Sequence, residues 1–76
     1  MSDIAYSNEY RVCERNLYGV ETEYSIFAAR YKFNARTHMA TFWYWRKNLW
    51  QRWEIVSFER ELQWVHQVID GIAEDL

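Results

Sequence analysis

The segment ATFWYWRKNLWQRWEIV, residues 40–56, limits the possible folds of this chain more than any other stretch. It holds four of the five tryptophans in a chain of only 76 residues. A domain of that size buries only about 60 % of the surface that its unfolded chain exposes. We therefore expect about half of these rings to lie in a core and the other half at the surface.

Composition predicts one small folded domain spanning residues 1–76. Half of the residues are apolar and 26 % are charged, which favours a single core over disorder. The only cysteine, Cys13, permits no internal disulfide and suits a reducing compartment. The start of the chain is polar, and no run approaches the roughly 18 apolar residues of a membrane helix. We expect a soluble, cytoplasmic protein without a membrane partner and without internal repeats.

Charge is segregated along the chain. Residues 1–23 carry five acids and two bases, residues 24–53 carry six bases and no acid, and residues 54–76 carry six acids and one base. The formal net charge of −2 therefore conceals an acidic, basic, acidic order.

The C-terminal third has the pattern of an amphipathic helix. Ser57 suits an N-cap, Glu59 and Glu61 suit the first turn, and Gly71 suits the end of the regular helix. Apolar residues recur at steps of three and four, which places them in one stripe: Phe58, Leu62, Val65, Ile69, Ile72 and Leu76.

Upstream of this helix the apolar period changes to two, which indicates strands. The stretches YSIFAARYKF, HMATFWYW and WQRWEIV are rich in aromatic and β-branched residues, and NART and RKNL separate them as turns. Residues 8–18 are interpreted as a further strand that leads into a turn at NLYG. A helix is the alternative there, because Tyr6, Tyr10, Cys13 and Leu17 also fit helical spacing.

These elements predict an α+β domain, in which an antiparallel sheet of three or four strands carries the C-terminal helix on one face. A loop at NART pairs Phe33 with His38, and a two-residue turn at Lys47 and Asn48 pairs Phe42 with Trp53. The predicted covered face then comprises Phe27, Ala29, Tyr31, Phe33, Ala40, Phe42, Tyr44, Trp53 and Ile55. A slip of one residue would exchange the faces of a strand, so the face that the helix covers is not determined.

Catalytic and metal sites are not expected. Cys13, His38 and His66 do not stand at the spacing of metal ligands, and no base accompanies the thiol in the sequence. Gly19 and Gly71 are the only glycines, too few for a phosphate-binding loop. We expect a non-enzyme that uses no cofactor.

The uncovered sheet face is the predicted contact surface for a macromolecular partner. Trp, Tyr and Arg dominate the binding energy of protein interfaces, and the predicted contact residues are Trp43, Trp45, Trp50, Arg30, Lys32, Arg46 and Arg52. The predicted function is a non-catalytic protein-binding module. In size and acidity it is comparable to small phage or mobile-element inhibitors of host defence in the host cytoplasm, such as anti-CRISPR proteins. No shared motif supports this comparison. A nucleic-acid-binding complex would suit the acidic surfaces as a partner.

Two alternatives use the same surface. A single-stranded nucleic-acid binder would stack bases on the tryptophans and neutralise phosphates with the basic residues. A structural homodimer would join two copies through the aromatic face. The basic side chains also have a purely structural interpretation, in which Arg30, Lys32 and Arg52 shield the rings from water through cation–π contacts.

Overall fold

The computed structural model describes residues 7–70 and 72–73, and within them it is entirely β-structure. Seven strands follow one another, with no helix among the described residues. Their bounds are β1 Asn8–Arg15, β2 Glu21–Ala28, β3 Arg30–Asn34, β4 Met39–Lys47, β5 Trp53–Glu61, β6 Trp64–Ile69 and β7 Ile72–Ala73. The predicted α+β class is therefore wrong.

The strands form two antiparallel sheets that are joined at two corners of the chain. One sheet has the order β2-β1-β6-β7 and the other the order β3-β4-β5. Only Ala29 separates β2 from β3, and only Leu62 and Gln63 separate β5 from β6. At both places the chain passes from a strand of one sheet directly into a strand of the other. Such bends form the corners of packed-sheet folds. Strand β1 pairs with β2 and β6, and β4 pairs with β3 and β5. Since β2 continues into β3 and β5 continues into β6, these pairings close into a ring.

Two corners hold the sheets together through backbone hydrogen bonds. At the first corner, Ala29 N donates to Trp43 O at 2.7 Å, and the Asn8 side chain donates to Ala29 O at 3.0 Å. At the second corner, Gln63 N donates to Cys13 O at 2.7 Å and Leu62 N to His38 O at 2.8 Å. Strand β1 runs from the first corner past the second, and β4 runs from the second past the first. The β1–β2 and β4–β5 hairpins therefore project at opposite corners.

The core lies between the two sheets. Tyr10 and Val12 of β1 face Phe42 of β4, and the ring centres of Tyr10 and Phe42 are 5.8 Å apart. Phe42 also stacks on Phe58, with ring centres 5.4 Å apart. The buried residues that form this core cluster are Tyr10, Val12, Ala28, Ala40, Phe42, Leu62 and Val65. Each sheet thus covers the inner face of the other, and no helix is required for that purpose.

The predicted C-terminal helix is replaced by β5, β6 and β7. Leu62 and Val65 are buried as the apolar stripe predicted, but they reach the core from a corner and a strand, while Ile69 is exposed. The pairing of β6 with β1 from Cys13↔Trp64 to Glu9↔Val68 supplies strand hydrogen bonds that local spacing cannot reveal. β-branched residues such as Val65 and Val68 also favour a strand over a helix. Gly71 and residues 74–76 of the predicted helix lie outside the described residues.

Both predicted hairpin registers are wrong, and they differ in consequence. Phe33 pairs with Ala40 instead of His38, a shift of two residues that keeps the faces unchanged. Phe42 pairs with Phe58 instead of Trp53, because a loop at residues 48–52 replaces the two-residue turn. This second shift is odd, so it turns Trp53 and Ile55 to the outer face of the sheet.

The interpretation of residues 8–18 as a strand and a turn is confirmed. Strand β1 ends at Arg15, and residues 16–20 form the loop to β2.

The two hairpins are structural repeats, so the prediction of a chain without internal repeats is wrong at the level of structure. Arg15 pairs with Glu21 at the end of the β1–β2 ladder, and Lys47 pairs with Trp53 at the end of the β4–β5 ladder. Each residue of the first hairpin thus corresponds to the residue 32 positions later, as Asn16 does to Asn48. The core residues Tyr10 and Phe42 are equivalent in the same way. The fold therefore consists of two similar halves, each giving its last strand to the sheet of the other.

Candidate contact surface on the second hairpin

The β4–β5 hairpin extends beyond the rest of its sheet. Strand β3 pairs with β4 only as far as Arg30 with Trp43, so among the described strands residues 44–47 pair with β5 alone. We call residues 44–56 the basic arm, because they carry Arg46, Lys47 and Arg52 against the single acid Glu54. A two-stranded ribbon of this kind exposes both of its faces.

Asn48 shapes the loop at the end of the basic arm. Its Oδ1 accepts hydrogen bonds from the backbone N–H groups of Trp50 at 2.9 Å and Arg52 at 3.1 Å. Its own N–H donates to Arg52 O at 2.9 Å, and Gln51 N donates to Asn48 O at 3.0 Å. Gln51 takes a left-handed conformation with φ of 60°. Four hydrogen bonds thus join Asn48 to the rest of the loop, while Leu49 and Trp50 point outward, 90 % and 77 % exposed.

The outer face of the arm continues this apolar surface. Trp45 lies opposite Ile55, and Lys47 lies opposite Trp53, in adjacent rows of the same face. Trp45 is 50 % exposed, and Trp53 and Ile55 are nearly as exposed. Monomeric soluble proteins seldom expose large contiguous apolar patches unless the patch binds something. The arm is therefore the strongest candidate for a contact surface among the described residues.

The sequence-predicted contact residues divide between the arm and the sheet. Trp45, Trp50 and Arg52 belong to the exposed part of the arm. Arg46 lies on the opposite face of the arm, where its guanidinium is 3.9 Å from the carboxylate of its cross-strand partner Glu54. Only part of the predicted set is thus brought together at the end of the hairpin.

The other three predicted residues lie where the sheet is three strands wide. Arg30 and Lys32 are on the outer face of β3, and Trp43 is beside Arg30 on β4. The Arg30 guanidinium stands 4.3 Å from the centre of the Trp43 ring, which is half-buried. This pair conforms to the structural interpretation, in which a cation shields a ring.

Sequence reasoning missed Leu49, Trp53 and Ile55 as surface residues. The sequence places Trp53 and Ile55 on the covered face because it predicts a two-residue turn where the structure has a loop at residues 48–52. Leu49 had a recognisable signal, since the dipeptide Asn-Leu followed by an aromatic residue occurs at residues 16–18 and again at residues 48–50.

Cations cover part of the aromatic surface. Lys47 Nζ is 5.4 Å from the centre of the Trp53 ring, as the Arg30 guanidinium is close to Trp43. These contacts occupy ring faces that a stacked nucleobase would need. Trp45 and Trp50 have no cation–π contact within the described residues.

Cys13 and His38, which the sequence offers as candidates for metal binding, occupy structural positions. In residues 7–70 and 72–73, no three His, Cys, Asp or Glu side chains stand close enough to hold a metal ion. Burial raises the pKa of the Cys13 thiol, and the carboxylates of Glu21 and Glu23 act in the same direction. A thiol with a raised pKa stays protonated at neutral pH and is a weak nucleophile. His38 Nδ1 is 3.0 Å from Leu62 O, so this ring belongs to the second corner.

The part of the chain that the structure describes contains no helix with the length and hydrophobicity needed to cross a membrane. Comparisons of the chain with models of protein families, with curated proteins and with solved structures found no match.

Proposed function

We propose that this protein is a non-catalytic protein-binding module that contacts its partner through the basic arm. The observation that carries the proposal is the cluster of exposed apolar side chains on a hairpin whose loop is held by hydrogen bonds to Asn48. The cluster comprises Trp45, Leu49, Trp50, Trp53 and Ile55.

The geometry of the arm suits tight binding. Asn48 holds the loop through four hydrogen bonds, so little backbone freedom is left to be lost on binding. Tryptophan is the residue type most enriched among interface hot spots. Lys47 and Arg52 border the apolar cluster, so the complementary surface is an apolar cleft with a rim of carboxylates.

The proposed setting follows from the size and acidity of the chain. A 9.4 kDa module is suited to act by covering a surface of a larger protein. We therefore retain a small phage or mobile-element inhibitor of a host defence complex, of the anti-CRISPR type, as the biological setting of the proposal. The host cytoplasm is the corresponding location.

Affinity capture with paired variants tests the proposal. The immobilised protein is exposed to a lysate of its native host, and captured proteins are identified by mass spectrometry. Trp45→Ser with Trp50→Ser removes two exposed rings of the arm. Leu17→Ser with Tyr18→Ser is the matched control, because it alters the equivalent loop of the first hairpin. We expect the partner to be captured by the wild type and the control and lost with the arm variant.

Direct titration with the purified partner then completes the test. Loss of the two rings should weaken binding by at least about 2 kcal/mol, roughly 30-fold in Kd. Equal affinity of wild type and arm variant would contradict the proposal. Sensitivity of capture to nuclease, with a loss of about one log unit of affinity per log unit of salt for each phosphate contacted, would identify nucleic acid as the ligand instead.

A further inference from the structure

The loop of the first hairpin has the same backbone as the loop of the basic arm. Asn16 Oδ1 accepts from Tyr18 N at 2.8 Å and from Val20 N at 3.0 Å. Asn16 N donates to Val20 O, and Gly19 N donates to Asn16 O, each at 3.0 Å. Gly19, with φ of 80°, takes the place of Gln51. The loop consequently presents Leu17 and Tyr18 to solvent as the arm presents Leu49 and Trp50, and Tyr18 is 91 % exposed.

The charges around the two loops are opposite. We call residues 12–24 the acidic tip, because they carry Glu14, Glu21 and Glu23 against the single base Arg15. The equivalent residues 44–56 of the basic arm carry three bases and one acid. The formal charges are therefore −2 for the acidic tip and +2 for the basic arm.

Some of these charges are already neutralised within the chain. Arg15 and Glu21 form an ion pair at 2.7 Å, and Glu14 accepts from Tyr24 Oη at 2.9 Å and lies 3.7 Å from the Arg60 guanidinium. Among the described residues, neither Glu23 on the tip nor Arg52 on the arm belongs to an ion pair. Each hairpin thus retains an outward charge that an oppositely charged surface can pair with.

The positions of the two hairpins permit a closed arrangement of two copies. The tip and the arm project at opposite corners of a molecule with extents of 42 × 28 × 20 Å. Two copies lying side by side in opposite directions bring the tip of each beside the arm of the other. A two-fold axis relates the two contacts, so the assembly closes as a dimer and does not extend into a fibre.

We propose that the acidic tip of one copy binds the basic arm of a second copy, reciprocally, in a closed dimer. Leu17 and Tyr18 then contact Leu49 and Trp50, and Glu23 faces Arg52. The dimer goes beyond the proposed function, because it covers the arm surface that the partner uses. Binding of the partner and dimerisation compete, and the free protein keeps its exposed rings out of solvent.

Charge reversal with complementation tests this dimer. The tip variant combines Glu21→Lys with Glu23→Lys, and the arm variant combines Lys47→Glu with Arg52→Glu. Sedimentation equilibrium at low salt measures the mass of each variant alone and of an equimolar mixture, with circular dichroism to verify folding. We expect the wild type at twice 9.4 kDa, each variant alone at 9.4 kDa, and the mixture restored to twice 9.4 kDa. In the mixed dimer both contacts are attractive, because one has both charges reversed and the other has its native charges, whereas mixing cannot restore a folding defect.

A neutral variant protects the test against misfolding of the charge variants. Leu17→Ser with Tyr18→Ser alters only exposed side chains and should raise the dimer Kd at least 10-fold. The proposal would be overturned if the wild-type protein were monomeric at about 1 mM or if the variants remained dimeric. A mixture of the two charge variants that stays monomeric would also overturn it. Capture of a partner by a wild-type protein that does not dimerise would refute the dimer alone and leave the proposed function standing.

Discussion

The acidic tip and the basic arm share one backbone and differ in nearly every surface contact. At the end of the first ladder, Arg15 forms an ion pair with Glu21 at 2.7 Å. At the equivalent place in the second ladder, Lys47 Nζ lies 5.4 Å from the ring centre of Trp53. The same cross-strand position thus holds a salt bridge in one hairpin and a cation–π contact in the other. An exposed pair can exchange its chemistry without changing the register of the strands.

The two hairpins show that one set of residues determines the backbone conformation and another set determines the chemistry of the surface. Asn16 and Asn48 provide the same loop hydrogen bonds, and Tyr10 and Phe42 provide equivalent rings in the core. The outer rows are free to differ because solvent accepts either charged or aromatic residues there. The following substitutions at equivalent positions test this separation.

Removal of either core ring should have the largest effect. Phe42→Ala and its counterpart Tyr10→Ala should each lower the free energy of unfolding by about 3–5 kcal/mol, because both rings are buried. A loss of that size approaches the whole stability of a small domain. Urea denaturation measures it, and Leu49→Ala, at an exposed position, is the control with little change. A large loss at only one of the two rings would show that the halves do not contribute equally to the core.

Loss of the loop asparagines should have an intermediate effect. Asn16→Ala and Asn48→Ala each remove an oxygen that accepts two backbone hydrogen bonds. We expect a cost of about 1 kcal/mol for each, similar for the two loops, because the freed N–H groups are exposed to water. Asn→Asp at either position retains the acceptor and should restore most of the stability. Thermal denaturation of the four variants compares the loops, and unequal costs would contradict their equivalence.

The left-handed positions should respond in opposite directions. Gly19→Ala should cost about 1 kcal/mol through backbone strain alone, since a Cβ at Gly19 meets no atom within 4 Å. Gln51→Gly should stabilise the second hairpin by a few tenths to about 1 kcal/mol, because glycine adopts φ of 60° without strain. Parallel chemical denaturation of both variants measures the two signs. A destabilising Gln51→Gly would mean that the Gln51 side chain makes a contact that outweighs the strain.

The smallest expected effect is on the pH dependence of the free energy of unfolding. It should differ between substitutions at the equivalent positions Cys13 and Trp45. Cys13 is 2 % exposed, and burial raises its pKa in the folded state. The protonated thiol therefore stabilises the fold fully below its ordinary pKa of about 8.5, and this contribution is lost as the pH rises toward the folded-state value. Between pH 7 and pH 10, Cys13→Ala should lose less stability than the wild type. Trp45→Ala has no such ionisation and should follow the wild type, and identical pH profiles for all three proteins would contradict the burial argument.

The fold was predictable from the sequence where the information is local. Strands lie in the predicted stretches at residues 8–18 and HMATFWYW. The turn predicted at NART lies one residue later, at residues 35–38, and β4 extends through Arg46 and Lys47, which were predicted to lie in a turn. The spacing of Phe58, Leu62 and Val65 fits a helix, and it equally fits a strand that turns a corner at Leu62. The pairing of β6 with β1 decides between them, and its residue pairs are more than 50 positions apart, as in Cys13↔Trp64. Ile69 and Phe27, predicted to be buried, are exposed because the actual core lies between two sheets.

The candidate site was predictable in kind but only partly in its membership. An excess of rings over core volume placed some tryptophans at the surface, and Trp45 and Trp50 are indeed exposed. Trp53 and Ile55 were missed because the odd register shift depends on the length of the Asn48 loop. Two side-chain hydrogen bonds set that length, and residue types alone do not reveal them.

The ring of strand pairings has a consequence for how the chain is made. Strand β1 is synthesised before the other six described strands, yet one of its two neighbours, β6, follows only after β5. A nascent chain that ends after β5 has every strand but β6 and β7, with the inner edge of β1 still unpaired. Such non-local closure slows folding, and an open edge exposes backbone groups to other chains. Protection of the protein during synthesis is therefore most needed in the interval before residues 64–69 leave the ribosome.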